Sequence, residues 1–104
     1  MSAADQTQRS HQVASRVARI EAKLQQQFTP QDLDIIDDSA THAGHAGAAS
    51  GGGHFNVLIV AQVFVGKAPL ARHRMVYAAL DDMMGKDIHA LSIQALTPDE
   101  FSTD

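Results

Sequence analysis

The sequence predicts a small α+β domain with helices on one face of a three-stranded mixed sheet. Apolar residues recur at helical spacing in two segments, and β-branched apolar residues form three short runs beside them. The resulting order of elements is α-β-β-α-β-α, which is typical of helices packed on a sheet in a small sandwich. A chain of 104 residues has room for one hydrophobic core.

The first predicted helix follows from a single apolar stripe. Its members are spaced by four, three, four and four residues: Val13, Val17, Ile20, Leu24 and Phe28. Ser10 is the predicted N-cap, and Thr29-Pro30 ends the helix because the residue before proline avoids the α region. Residues 33–36 then predict a short strand.

A glycine-rich segment separates this strand from the next. Residues 39–53 hold five of the seven glycines and show no hydrophobic period, which predicts a flexible loop. Loops of this length without secondary structure are usually functional or disordered. From Phe55 to Phe64 the chain is apolar on both alternating faces, which predicts a well-covered second strand.

The second predicted helix begins after the turn at Gly66–Pro69 and has one apolar face. That face contains Leu70, His73, Val76, Tyr77, Leu80 and Met84. Gly85 follows as the predicted C-terminal cap. Residues 88–95 predict the third strand, and Thr97-Pro98 with the acidic residues behind it predicts a last short helix.

The composition excludes several kinds of function. Without cysteine, the chain cannot build a disulfide, a thiol nucleophile or a four-thiolate metal site. A formal net charge of −4 argues against nucleic-acid binding driven by overall charge. The serines Ser39 and Ser50 lie in the glycine-rich loop, which is poor ground for a preorganised catalytic site, so no enzyme is predicted.

The start of the chain carries no recognisable targeting signal. Residues 1–11 are polar and lack the apolar core of a signal peptide, so they are predicted to be a flexible tail. The longest apolar run, Val57 to Ala61, is far too short to span a membrane. We therefore expect a cytoplasmic protein with a single domain over residues 12–104.

Six histidines are the remaining candidates for chemistry. His89 opens the third strand, where a strand period of two puts it on the same face as Leu91. His42 and His45 lie in the glycine-rich loop, which could deliver an imidazole to a partner's metal. From spacing alone, a structural or solvated histidine is the commoner case at each of these positions.

The other three histidines have structural interpretations. His73 lies on the apolar face of its helix and is predicted to pack there. His54 precedes Phe55 and is assigned to the entry of the second strand, and His11 belongs to the tail.

Three runs in the second half of the chain resemble the signature of the BolA family. They are Arg72–Tyr77, Ile88–Leu91 and Leu96–Glu100, and they follow the run Gly51–Phe55. The resemblance covers roughly residues 13–101. It implies a fold that resembles the type II KH domain, and a small adaptor that is not a stand-alone enzyme.

The resemblance also implies a partner and a cofactor. BolA-like proteins pair with monothiol glutaredoxins around a [2Fe-2S] cluster that also involves glutathione, in cluster trafficking or iron regulation. The implied ligands are His89 and one loop histidine, for which His42 matches best and His45 is the close rival. Two imidazoles can replace two thiolates on one iron, while the partner supplies the sulfur ligands. Alone, we expect the chain to hold no cluster and to be a monomer or a weak homodimer.

A second hypothesis stays open because some BolA-like proteins are described as transcription regulators. In that case the turn at Gly66–Pro69 and the following helix would contact DNA, with Lys67, Arg72 and Arg74 on phosphates. The acidic net charge and the histidine-containing loop favour the adaptor. A steep salt dependence of specific DNA binding would favour the regulator.

Overall fold

The computed structural model describes residues 16–39 and 53–102. Helix α1 occupies residues 16–28 and strand β1 spans Asp32–Asp37. The second range contains β2 (Gly53–Val60), a 3-10 turn (Gln62–Phe64), α2 (Pro69–Ala79), β3 (Ile88–Leu96) and α3 (Pro98–Ser102). The α+β class and the predicted order of elements are therefore confirmed. The tail over residues 1–11 and the N-cap Ser10 lie outside the described residues.

The sheet is mixed, with the strand order β1-β2-β3. β1 pairs with β2 antiparallel, from Asp32 opposite Val60 to Asp37 opposite Phe55. β2 pairs with β3 parallel, which requires the long connection through α2. Since β2 and β3 run in the same direction, their first residues lie together at one end of the sheet and their last residues at the other.

Helices α1 and α2 cover one face of this sheet, as predicted. Ile20, Leu24 and Phe28 of α1 are buried, in agreement with the predicted stripe. They join one hydrophobic cluster with residues of β2 and α2, among them Phe55, Val57, Ile59 and Val76. Burial of a side chain of this size stabilises the fold by about 1.5–3 kcal/mol.

Strand β2 is shorter than the sequence predicted. It ends at Val60, and the apolar residues that follow form the 3-10 turn. Phe64 of this turn is buried and packs on Phe28, with ring centroids 5.4 Å apart. The apolar run therefore continues past the strand because the turn itself contributes to the core.

The buried face of α2 agrees with the predicted one only in part. Val76 and Leu80 are buried as predicted, whereas Leu70 is 62% exposed, Tyr77 is 40% exposed and Arg72 is buried. The prediction chose the face by apolar character alone, so Arg72, whose carboxylate partner is distant in sequence, was placed beside that face and not on it.

The helix also ends earlier than predicted, at Ala79, and turns occupy residues 80–83 and 85–87. Gly85 is therefore not the cap of α2. It adopts a φ of 81° and its N–H donates to the Ile88 carbonyl at 2.8 Å, so it turns the chain into β3. Glycine suits this position because a positive φ strains other residues.

Side chains of α2 cover the outer edge of β3. The Tyr77 hydroxyl donates to the Leu91 carbonyl at 3.3 Å, and Arg72 Nη1 donates to the Ala95 carbonyl at 3.0 Å. Residues 91 and 95 are an even number of positions apart, so their carbonyls point to the same side of the strand. These bonds occupy acceptors that an unprotected edge strand would offer to another chain.

Candidate functional site

The first residues of β2 and β3 bring two histidines together. The ring centroids of His54 and His89 are 6.1 Å apart, and the ring planes meet at 33°. His89 is exposed and His54 is half-buried. The parallel pairing of the two strands is the cause, since it sets their starts side by side. We call this region, with Ser39 and Gly53, the histidine end of the sheet.

A register shift at the start of β3 sets the position of His89. Gly53 lies opposite Ile88 but His54 lies opposite Ala90, so His89 has no partner in β2. An extra residue of this kind shifts the alternation of side chains along the strand. Ile88 is buried and His89 is exposed, while Leu91 packs against the core. The prediction that His89 shares the face of Leu91 is wrong, because it assumed an unbroken strand period.

The backbone of His54 is tied to the end of β1. Its N–H donates to Ser39 Oγ at 3.1 Å, and its carbonyl accepts the Asp38 N–H at 2.8 Å. The Ser39 N–H donates in turn to Asp37 Oδ1 at 2.9 Å. These bonds fix the two points between which residues 40–52 run.

The close approach of these segments requires glycine at position 53. A Cβ there would lie 2.7 Å from Cε2 of Phe55 and 2.8 Å from Ser39 Oγ. The Gly53 N–H donates to the Asp87 carbonyl at 3.0 Å, which joins the start of β2 to the turn before His89. Three segments of the chain therefore meet around the two histidines.

Of the predicted metal ligands, the structure describes His89 alone. His42 and His45 fall within residues 40–52, outside the described residues. Sequence reasoning missed His54, although two histidines near the starts of two strands that pair in parallel were an available signal. Within residues 16–39 and 53–102, no group of three or more potential metal-ligating side chains converges.

At the other end of β3, Arg72 is buried and each of its three side-chain nitrogens donates a hydrogen bond. It is 8% exposed, and its Nε donates to the Lys67 carbonyl at 2.8 Å. Nη1 donates to the Ala95 carbonyl, and Nη1 and Nη2 donate to the two Glu100 carboxylate oxygens at 2.6 and 3.1 Å. We call Arg72, Glu100 and Thr97 the arginine clamp.

The clamp holds its members in their charged forms. Hydrogen bonds from Arg72 and from the Thr97 N–H lower the pKa of Glu100 to about 2. The hydrogen bond to Glu100 raises the pKa of Arg72 above its usual value. Thr97 Oγ1 also accepts the Glu100 N–H at 3.2 Å, which completes a capping box at the start of α3. The predicted N-cap Thr97 is therefore confirmed.

The three predicted DNA-contacting residues do not form one basic surface. Lys67 and Arg74 are exposed, but the Arg72 guanidinium is occupied inside the protein by Glu100 and two carbonyls. His73 between the arginines is half-buried. Phosphate contacts at this turn would therefore fall to Lys67 and Arg74.

One further feature of the described residues lies apart from the histidine end and the arginine clamp. A shallow depression with a volume of about 350 Å³ opens between the strands and is lined by Asp34, Asn56, Ser92 and Gln94, among others. It includes neither histidine of the histidine end.

No helix in the described ranges is long and apolar enough to cross a membrane.

The chain belongs to the BolA-like protein family. The sequence model of that family matches residues 24–100, which is more than half of the chain. The match includes the histidine end and the arginine clamp, so both lie within the family domain. The predicted family resemblance is confirmed.

Individual relatives give the same assignment. "SufE-like protein 1, chloroplastic/mitochondrial" of Arabidopsis thaliana is 42% identical over 93 residues, which cover 85% of this chain and 25% of that protein. "BolA-like protein 1" of Mus musculus is 42% identical over 84 residues, which cover 81% of this chain and 59% of that protein. The chain thus spans only part of the length of these relatives.

A bacterial relative and a solved structure complete the comparison. "DNA-binding transcriptional regulator BolA" of Escherichia coli (strain K12) is 39% identical over 83 residues, covering 80% of this chain and 76% of that protein. The structure of the BolA domain of SufE1 from Arabidopsis thaliana has a TM-score of 0.73 and 43% identity, covering 83% of this chain and 95% of that one.

Proposed function

We propose that this chain is an adaptor that forms a heterocomplex with a monothiol glutaredoxin and shares a [2Fe-2S] cluster through histidine. Its role would be in iron–sulfur cluster trafficking or iron regulation, with no catalytic step of its own. The observation that carries the proposal is the exposed imidazole of His89 beside His54 in a BolA-like chain that lacks cysteine.

The donor set of the histidine end fits one side of such a cluster. Two neutral imidazoles can replace two thiolates on one iron, and the remaining thiolates must come from the partner and glutathione. Two rings that share a metal through nitrogens about 2 Å away have centres about 5–6 Å apart. The 6.1 Å between His54 and His89 is therefore close to a chelating separation. The chain's contribution is to present His89 at the surface on an anchored strand start.

The second ligand is open among three histidines. His54 is already beside His89. His42 is three residues beyond Ser39, a stretch that spans at most about 11 Å. Because Ser39 Oγ lies 3.1 Å from the His54 nitrogen, a stretch of this length is long enough to bring His42 to His89. His45 is six residues beyond Ser39 and has a longer reach.

The direct experiment mixes the purified chain with a cluster-loaded monothiol glutaredoxin and glutathione, and records visible absorption and circular dichroism. We expect a heterodimer with a changed spectrum, because replacing sulfur by nitrogen alters the charge-transfer bands. Alone, the chain should bind no stable cluster. Recovery of an intact two-iron cluster on the isolated chain would contradict the proposal.

Single substitutions of His42, His45 and His54 by alanine identify the second ligand. Replacing the true ligand should lower cluster retention in the heterocomplex, while the other two variants should match the unmodified chain. His73→Ala is the control, because His73 lies on α2 and not at the histidine end. If none of the three lowers retention, the shared-histidine arrangement fails.

The remaining parts of the proposal concern the state of the chain in the cell. We infer a cytoplasmic protein that is a monomer or a weak homodimer before it meets its partner. Cell fractionation tests the location, and sedimentation of the purified chain in the analytical ultracentrifuge tests the oligomeric state. A stable homodimer at micromolar concentration would contradict the second.

The second candidate function is a DNA-binding regulator, favoured by the name of the Escherichia coli relative. Lys67 and Arg74 are exposed around the start of α2, after a turn in which Gly66 adopts a φ of 80°. Replacing either by alanine should weaken DNA binding and reduce the salt slope by about one. Undetectable DNA binding at moderate salt would leave both as surface residues.

A further inference from the structure

Two ion pairs join α1 to the turns that precede β3. Arg19 Nη2 lies 3.0 Å from Asp87 Oδ2, and Lys23 Nζ lies 2.8 Å from Asp82 Oδ2. Both pairs connect the same helix to the same segment, but they end at different distances from the histidine end. Asp87 precedes His89 by two residues, whereas Asp82 precedes it by seven.

We propose that Asp87 is a positioning residue that holds the start of β3 so that the His89 imidazole lies beside His54. Any effect of this residue on cluster binding rests on the proposed function. The positioning itself is a property of the isolated chain.

The need for such a residue follows from the register shift in β3. His89 has no partner in β2, so no regular pairing in the sheet fixes its backbone. Its orientation therefore depends on Ala90, which lies opposite His54, and on the residues just before it. Ile88 is completely buried and its N–H donates to the Met83 carbonyl at 3.0 Å, which fixes the residue directly before His89.

Asp87 adds two further attachments on the same side of the bulge. Its carbonyl accepts the Gly53 N–H at 3.0 Å, which ties it to the residue before His54. Its carboxylate binds Arg19, and the Asp87 side chain is 28% exposed compared with 64% for Asp82. A single residue therefore links the bulge to the start of β2 and to α1.

Helix α1 is a suitable anchor because its position is set by the core. Ile20 and Leu24, which are completely buried, directly follow Arg19 and Lys23 in sequence. Arg19 therefore extends from a helix that packing holds in place. Removing the Asp87 carboxylate should free the bulge from α1 while leaving the backbone bond to Gly53.

The test is nuclear magnetic resonance of the isolated chain, with Asp87→Asn compared with the matched variant Asp82→Asn. We expect Asp87→Asn to weaken the ring–ring NOE between His54 and His89 and to shift their ring resonances. Asp82→Asn should leave both unchanged. Arg19→Gln should reproduce the Asp87→Asn effect, and the double variant should add nothing, because both changes remove one interaction.

Two additional variants separate positioning from general stability. Asp87→Glu keeps the carboxylate and should restore the NOE. With cluster-loaded glutaredoxin, Asp87→Asn should lower cluster retention by up to about fivefold, the range that a partly exposed ion pair supports. Unchanged ring signals in Asp87→Asn, or equal changes in Asp82→Asn, would overturn the proposal. If no variant takes up a cluster while the NOE pattern holds, the proposed function fails and the positioning role stands.

Discussion

The two ends of the parallel strand pair use polar side chains in opposite ways. At the arginine clamp, Arg72 is buried and each of its donor nitrogens has a protein acceptor. At the histidine end, the backbone around His54 is tied down while the His89 ring is exposed. In the arginine clamp, the polar side chains bind one another and the backbone, and so stabilise the fold. The histidine end fixes the main chain and leaves the His89 imidazole exposed at the surface, as the proposed function requires.

This difference explains why Arg72 has a structural role, whereas the histidines are candidates for binding. A buried guanidinium without partners would cost several kcal/mol, so Arg72 must stay paired whenever the protein is folded. The exposed imidazole of His89 carries no such requirement. Substitutions at the clamp should therefore change stability, and substitutions of the histidine rings should change binding.

The largest expected effect is that of Arg72→Ala. It leaves the buried Ala95 carbonyl without its donor and separates Glu100 from its cation, at a cost of about 2–3 kcal/mol in the free energy of unfolding. Chemical denaturation measures this loss. Arg74→Ala is the control, because Arg74 is exposed and should change stability by less than about 0.5 kcal/mol. Equal stability of the two variants would remove the contrast between the ends.

Gly53→Ala should have the next largest effect. The added Cβ would meet the Phe55 ring and Ser39 Oγ below 3.0 Å, so the histidine end must shift, at a cost of about 1–3 kcal/mol. The His54 and His89 ring resonances should move with it. Gly66→Ala is the control: nothing lies within 4 Å of its Cβ position, and its φ of 80° costs about 1 kcal/mol without affecting the histidines. Unmoved ring resonances in Gly53→Ala would show that the histidine end is not held by this contact.

Glu100→Gln should have a smaller effect that depends on pH. The pKa of Glu100 falls from 4.5 to about 2 in the folded chain, so its charge stabilises the fold above pH 4.5. This contribution is lost as the pH falls through about 2. Thermal unfolding should therefore show a difference between the variant and the unmodified chain at neutral pH that shrinks below pH 4.5. Glu21→Gln on the exposed side of α1 controls for the lost charge. A difference that does not vary with pH would contradict the clamp.

Most of the fold could be predicted because its signals are local. The α1 stripe, the turn before α2 and the N-cap Thr97 each depend on residues within a few positions of one another. Burial of Arg72 could not be predicted in this way, because its carboxylate partner is 28 residues away. A charge in a helical pattern is assigned to the surface unless that distant partner is known.

The candidate site was predicted in part for the same reason. His89 was identified through the family resemblance, but its orientation depends on a register shift that only the pairing with β2 creates. His54 was assigned to strand entry because its neighbour lies 35 residues further along the chain. Parallel pairing brings such distant residues together, and no local pattern records it.

The measurement that tests the central claim most directly is the visible spectrum of His89→Ala with cluster-loaded monothiol glutaredoxin, recorded beside its thermal unfolding curve. Because His89 is exposed, the variant should unfold as the unmodified chain does, within about 0.5 kcal/mol. It should still bind glutaredoxin through surface contacts but should lose the altered cluster spectrum. An unchanged spectrum would refute His89 as a ligand, and a large loss of stability would show that the histidine end is structural.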